Sequence, residues 1–255
     1  MGKIIAIANQ KGGVGKTTTA INLSSALAHY DRKILLIDMD PQGNCSKGIG
    51  IDPALLKYTV FNALIQDVPF EKIIRKTEDK NIRLIPANLD LAASEARLLS
   101  LGLKSGFNYL KYALKDEKNN YDYILVDCPP SLGFLSLNAL YAADSVLIPV
   151  QCEYFALEAI GQILGTINNI KRSSNPELEI LGILLTMYDN RNKLSTEVTR
   201  QVLSFFKEKT FATRIPRNIN IGEAQALGKP IVTYKPKAAG SIAYLSLARE
   251  VISYE

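Results

Sequence analysis

Short unbroken apolar runs, each followed by a turn and then by residues at helical spacing, recur along the 255-residue chain. The first run covers residues 3–8, and a helix-forming segment over 19–28 follows a glycine-rich turn. Two more runs, Ile34-Leu35-Leu36-Ile37 and Tyr123-Ile124-Leu125-Val126, are apolar at every position, as in parallel strands covered on both faces. Further strands are predicted over 144–150, 178–187 and 211–215, with helices over 153–171, 194–207 and 240–253. Residues 81–86 read as one more strand, and 53–106 as mostly helical, with Thr59 and Asn88 as caps. This alternation predicts an α/β fold: one domain over 1–255, with a mostly parallel central sheet and helices on both faces.

Composition narrows the class. With 47% hydrophobic residues the chain can bury one large core. It has no apolar run of about 18 residues, so membrane insertion is not expected. The N-terminus enters a strand directly, which leaves no room for a signal peptide. Cys45, Cys128 and Cys152 lack CxxC spacing and read as reduced thiols of a cytoplasmic protein. One histidine, His29, and no serine elbow give nucleophilic hydrolase chemistry little support.

The chemistry starts in the glycine-rich turn. Backbone N–H groups that converge on an anion need the space that Gly12, Gly13 and Gly15 leave, with Val14 between them. Lys16 can reach the β- and γ-phosphates of ATP, and the hydroxyl of Thr17, next to Thr18, suits a Mg²⁺ ligand. The strict phosphate-loop pattern fails at one point, because its first glycine would fall at Gln10; a second lysine, Lys11, stands beside it. Lys11 competes poorly with Lys16 for its own γ-phosphate but could reach a nucleotide held by a second copy, as an arginine finger does in trans. The run KGGVGKTT (residues 11–18) resembles the deviant phosphate loop of the ParA/MinD superfamily of P-loop ATPases. That resemblance implies binding of ATP or ADP and formation of nucleotide-sandwich homodimers.

Two carboxylate-ending strands extend the pattern. The second apolar run ends in Asp38-Met39-Asp40-Pro41, where open α/β sheets bind ligands, so an aspartate there can hold a Mg²⁺-bound water or orient an attacking one. DMDPQGN (residues 38–44) resembles the superfamily's first switch segment, which implies that Asp40 positions the hydrolytic water. The third run ends at Asp127, the arrangement of a carboxylate that meets Mg²⁺ through water, and Pro129-Pro130 stiffens the loop that follows.

From Thr186 to the C-terminus, eleven Lys and Arg face six Asp and Glu, an excess equal to the whole net charge of +5. Loop cations suit a phosphate backbone, bound without sequence preference. Charge alone does not separate this from a solvated basic face. Over essentially its whole length the chain resembles the chromosomal ParA/Soj branch, also through PVQCEYFALEAIGQIL (149–164), LLTMYDNR (184–191) and IPRNINIGEAQALGKPI (215–231). The resemblance implies a weak ATPase, nucleoid-associated in the cytoplasm, whose ATP-bound homodimer coats DNA non-specifically. A ParB/Spo0J-type protein would stimulate hydrolysis. It also implies DNA contacts at Arg191 and Arg217, a dimer-interface role for Glu153 near the partner's nucleotide, and adenine flanked by Pro216, Arg217 and Asn218. Where the family pattern has a second arginine, this chain has Asn220. That departure implies weaker DNA binding, or contacts that lean on Lys193, Lys229, Lys235 and Lys237. The alternatives are a MinD-like positioning ATPase without its own membrane helix, and a small-molecule P-loop ligase.

Overall fold

The computed structural model describes residues 2–93 and 106–254. Among them are eight strands: β1 (Lys3–Ile7), β2 (Ile34–Asp38), β3 (Arg75–Lys76), β4 (Ile82–Ile85), β5 (Tyr123–Asp127), β6 (Ser145–Gln151), β7 (Glu179–Tyr188) and β8 (Thr210–Pro216). They form one sheet in the order β3-β4-β2-β5-β1-β6-β7-β8. Only the β3–β4 pair is antiparallel. The mostly parallel α/β sheet is therefore as the apolar runs predict.

The helices are α1 (Lys16–His29), α2 (Asn44–Gly48), α3 (Val60–Gln66), α4 (Phe70–Ile73), α5 (Tyr109–Ala113), α6 (Phe134–Ala142), α7 (Ala156–Ser173), α8 (Lys193–Phe206), α9 (Ile219–Ala226), α10 (Ile231–Tyr234) and α11 (Ala239–Ser253). They cover both sheet faces. Successive residues of a strand point to opposite sides, so Ile4 and Ala6 enter one core with α6, α7 and α8. Ile5 and Ile7 enter the other, with α1 and α11. The sequence does not announce α6, because it is apolar on nearly every side and lacks the one-sided spacing of a surface helix.

The stretch expected as mostly helical over 53–106 needs correcting. β3 interrupts it, and a two-residue strand is too short to show alternation. The part of that expectation over 94–105 lies outside the described residues. Thr59 and Asn88, both expected as caps, meet each other. The Thr59 hydroxyl donates to Asn88 Oδ1 (3.2 Å), while Asn62 Oδ1 accepts the Thr59 N–H (2.7 Å).

Register brings the chemistry together. Ile7 and Asp38 both pair with Asp127, so β1, β2 and β5 end level with one another. The chain leaves β1 for β2 on one side and later places β6 on the other, which opens a crevice at the carboxyl edge of β1. Among the described residues no helix is long and apolar enough to cross a membrane.

Candidate functional site

Asn9 turns the chain out of β1. Buried at the strand end, its Nδ2 donates to the Pro149 carbonyl (2.7 Å) and its Oδ1 accepts the Lys11 N–H (3.0 Å). Gly13 and Gly15 then adopt φ of +74° and +89°, a region costly for any residue with a side chain. Gly15 is the N-cap of α1 and offers no side chain to the first N–H groups of that helix, which leaves them to an anion. The Thr186 hydroxyl of β7 donates to the Val14 carbonyl (2.8 Å) and anchors the loop from the side. Lys16 is buried, its Nζ donating to the Lys11 carbonyl (3.1 Å). Burial pulls its ammonium below the ordinary range, against the nearby carboxylates of Asp127 and Asp40.

A cleft of about 360 Å³ opens over the loop. Gly12, Gly13, Gly15, Lys16, Thr17 and Thr18 line one side, with Asp40, Pro130, Met187 and Gln225 facing them. Three of the predicted segments thus meet in one place. Met187 and Gln225 were not anticipated. Met187 lies at φ +50°, strained for a residue with a side chain, and nothing in the sequence signals it. The Thr18 hydroxyl donates to Gln225 Oε1 (3.4 Å), so α9 reaches the phosphate loop.

The three aspartates divide the work. Asp38 is buried and accepts from Ser46 N–H (2.9 Å), Ser46 Oγ (2.7 Å) and Asp40 N–H (3.1 Å). Burial pushes its carboxyl up to about 7, although the Ser46 bonds oppose the rise. Asp40 instead lines the cleft, its Oδ1 accepting only the Gln42 N–H (2.9 Å) among the described bonds. Asp127 is fully buried, and neither carboxylate oxygen makes a hydrogen bond of ordinary geometry among the described residues. Burial and then the charge of Asp38 raise its pKa, while the nearby Thr17 hydroxyl and Lys16 ammonium lower it.

A buried carboxylate with both oxygens orphaned is costly unless a cation meets it. Beside the Thr17 hydroxyl, that arrangement fits Mg²⁺, which takes few protein oxygens and keeps phosphate and water as its other ligands. Among the described residues no group of three or more His, Cys, Asp or Glu gathers as a metal set.

Lys11 stands apart. It is not among the residues lining the phosphate-loop cleft but faces a shallower one with Gln10, Phe155 and Glu158. Its Nζ is paired with Glu153 Oε2 at 2.8 Å. Next to Glu153, Tyr154 and Phe155 are 77% and 59% exposed, their rings packed edge to face at 5.1 Å.

The expected adenine-flanking residues sit at the end of β8. Arg217 N–H donates to the Tyr188 carbonyl (3.0 Å), and Asn218 Oδ1 caps α9 through the Asn220 N–H (3.0 Å). Pro216, Arg217 and Asn218 are not among the residues that line the cleft; Gln225, farther along α9, is. Of the candidate DNA-facing cations, Arg191 lies just after β7 and Arg217 just after β8, where Tyr188 pairs with Pro216. Arg217, Lys193, Lys229 and Lys237 are exposed. Arg191 grips Asp189 through two bonds, of 3.0 and 2.9 Å. Lys235 Nζ donates to Glu223 (3.0 Å) and to Asn220 Oδ1 (2.7 Å), so the residue standing where an arginine was expected holds a lysine in its place.

A family model described as an AAA domain matches residues 2–180. The chain is 48% identical over 251 residues to the sporulation initiation inhibitor protein Soj of Bacillus subtilis, with 98% of each chain covered. It is 49% identical over 256 residues to the chromosome partitioning protein ParA of Caulobacter vibrioides, covering 99% of this chain and 95% of the other. Among solved structures, cobyrinic acid a,c-diamide synthase from Mycobacterium smegmatis, with bound ATP analogue and magnesium, aligns at a TM-score of 0.87. That protein is 37% identical, and the alignment covers 100% of this chain and 96% of it.

Proposed function

The chain belongs to the ParA/Soj family of P-loop ATPases, and from that premise we propose that it is a DNA-partitioning ATPase that dimerises on ATP. Two copies close on ATP as a sandwich, the dimer binds DNA regardless of sequence, and a ParB/Spo0J-type partner stimulates a weak basal hydrolysis. In this reading the protein works on the nucleoid. The observation that carries it is the placing of the two lysines. Lys16 lines the cleft of its own phosphate loop, whereas Lys11 is displayed outside it, beside exposed Tyr154 and Phe155.

The residues then act as follows. The N–H groups of residues 12–18 bind the phosphates, and Lys16 neutralises the γ-phosphate in cis. Lys11 leaves Glu153 to reach the partner's phosphates, a contribution of roughly 10³–10⁵ in rate where an arginine does this in related chemistry. Asp38, held by Ser46, fixes the segment from which Asp40 orients the attacking water. Mg²⁺, held by the Thr17 hydroxyl and through water by Asp127 and Asp40, would neutralise developing phosphate charge. Gln225 and the 216–218 loop take the adenine end, and Glu153 of each copy stands near the partner's nucleotide.

Light scattering and DNA binding, with ADP and then with ATP, test this. Dimers and sequence-independent, salt-sensitive binding that appear only with ATP are expected. Monomers that bind no DNA with ATP would overturn the reading. The likeness to a protein named as a diamide synthase supports a second reading, a small-molecule ligase. Steady ADP release from the protein and DNA alone, with no small acid or amine added, excludes it.

A further inference from the structure

Two of the candidate DNA-facing cations, Arg191 after β7 and Lys235 beside α9, are held by acids. Arg191 is 86% exposed at its side chain, yet its guanidinium is engaged by both oxygens of Asp189. Lys235, also in water, is engaged by Glu223. The pairing holds Asp189 down at about 2, chiefly through the hydrogen bond from Arg191, and Glu223 raises Lys235. Ion pairs this exposed are weak and screened by salt, so a phosphodiester oxygen can take the cation from the carboxylate. Both acids stand on or directly beside elements that also grip the phosphate loop. Asp189 directly follows β7, whose Thr186 holds Val14. Glu223 lies two residues before Gln225, which accepts from Thr18. Arg217, next to Tyr188, is close enough to add to the lowering at Asp189.

We infer that Asp189 and Glu223 are electrostatic gates on the DNA face, each occupying a cation that a DNA phosphate would otherwise take. The inference rests on the reading that the ATP form binds DNA. It adds a reason for weak, reversible holding: every phosphate contact through Arg191 or Lys235 must first displace an internal carboxylate, which remains beside it as a repelling charge. A protein that coats DNA and later lets go gains from such built-in competition.

The test uses the full chain with ATP and unrelated duplexes over a salt series. Asp189→Asn keeps an oxygen for the Arg191 N–H (3.0 Å) but removes the charge and replaces the second acceptor of the guanidinium (2.9 Å) with an amide NH2; Glu223→Gln likewise removes the charge on α9. Each is expected to tighten binding about two- to five-fold on all sequences alike, with a steeper salt dependence. The gain from Asp189→Asn should vanish when Arg191→Ala is added, and that from Glu223→Gln when Lys235→Ala is added. ATP hydrolysis without DNA should stay at the unmutated rate. Unchanged or weaker DNA binding by variants that melt at the normal temperature would overturn the gate. So would a gain seen only on vesicles of anionic lipid. Failure of the unmutated protein to bind DNA at all is a different result, which removes the functional reading and the gate with it.

Discussion

The Thr186 hydroxyl donates to the Val14 carbonyl oxygen at 2.8 Å, joining two residues 172 positions apart. That bond turns a carbonyl, which would repel phosphate, toward β7 and leaves the N–H groups of the loop for the anion. It also ties the phosphate loop to the strand that continues, through Met187, to the cationic edge.

Thr186→Val keeps the shape and removes the donor, leaving a carbonyl unsatisfied at a cost of about 1–3 kcal/mol. ATP affinity is expected to fall roughly five- to a hundred-fold by titration calorimetry. Affinity equal to that of the unmutated protein would mean that the loop holds its own shape.

The lysines should separate cleanly. Lys16→Ala is expected to lose ATP binding, whereas Lys11→Ala binds ATP but stays monomeric in light scattering. Normal ATP-driven dimers of Lys11→Ala would rule out its action in trans.

Asp40→Ala should trap the ATP-bound dimer, because the segment held by Asp38 and Ser46 remains in place while the cleft loses its carboxylate. Phosphate release at the unmutated rate would take Asp40 out of catalysis.

Ligand-free stability should depend on pH through Asp38. Burial raises its carboxyl to about 7 in the folded protein, from an ordinary 3.8. Between those values the folded chain keeps a proton that the unfolded chain releases. The stabilisation is therefore complete below the lower value and is lost as pH rises through the upper one, at no more than ~1.4 kcal/mol per pH unit. Melting temperature should fall from about pH 4 to about pH 7, and Asp38→Asn should flatten the fall. A melting temperature that rises across this window would contradict the assignment.

Gly182 marks a packing limit. A methyl group there would meet the Phe211 ring at 2.5 Å, and Phe211 is buried between β7 and α11 with little room to yield. Gly182→Ala is expected to destabilise the fold by about 1–3 kcal/mol in urea unfolding. Unaltered stability would show that the ring can rotate clear.

What the sequence determined by itself was local. Glycines at 13 and 15, apolar runs that end in Asp38 and Asp127, and the alternation of strand and helix follow from rules that act over a few residues, and each reappears in the structure. Those same rules cannot order the two aspartates of the 38–40 segment. The fold does, by burying Asp38 against Ser46 and turning Asp40 into the cleft. Nor can they pair Lys11 with Glu153, Arg191 with the carboxylate that holds it, or Thr18 with Gln225. The contacts between distant elements depend on strand order and register, since β6, β7 and α9 reach the phosphate loop only after the sheet has assembled around β1. A side chain's neighbours are then set by backbone geometry that residue spacing does not encode.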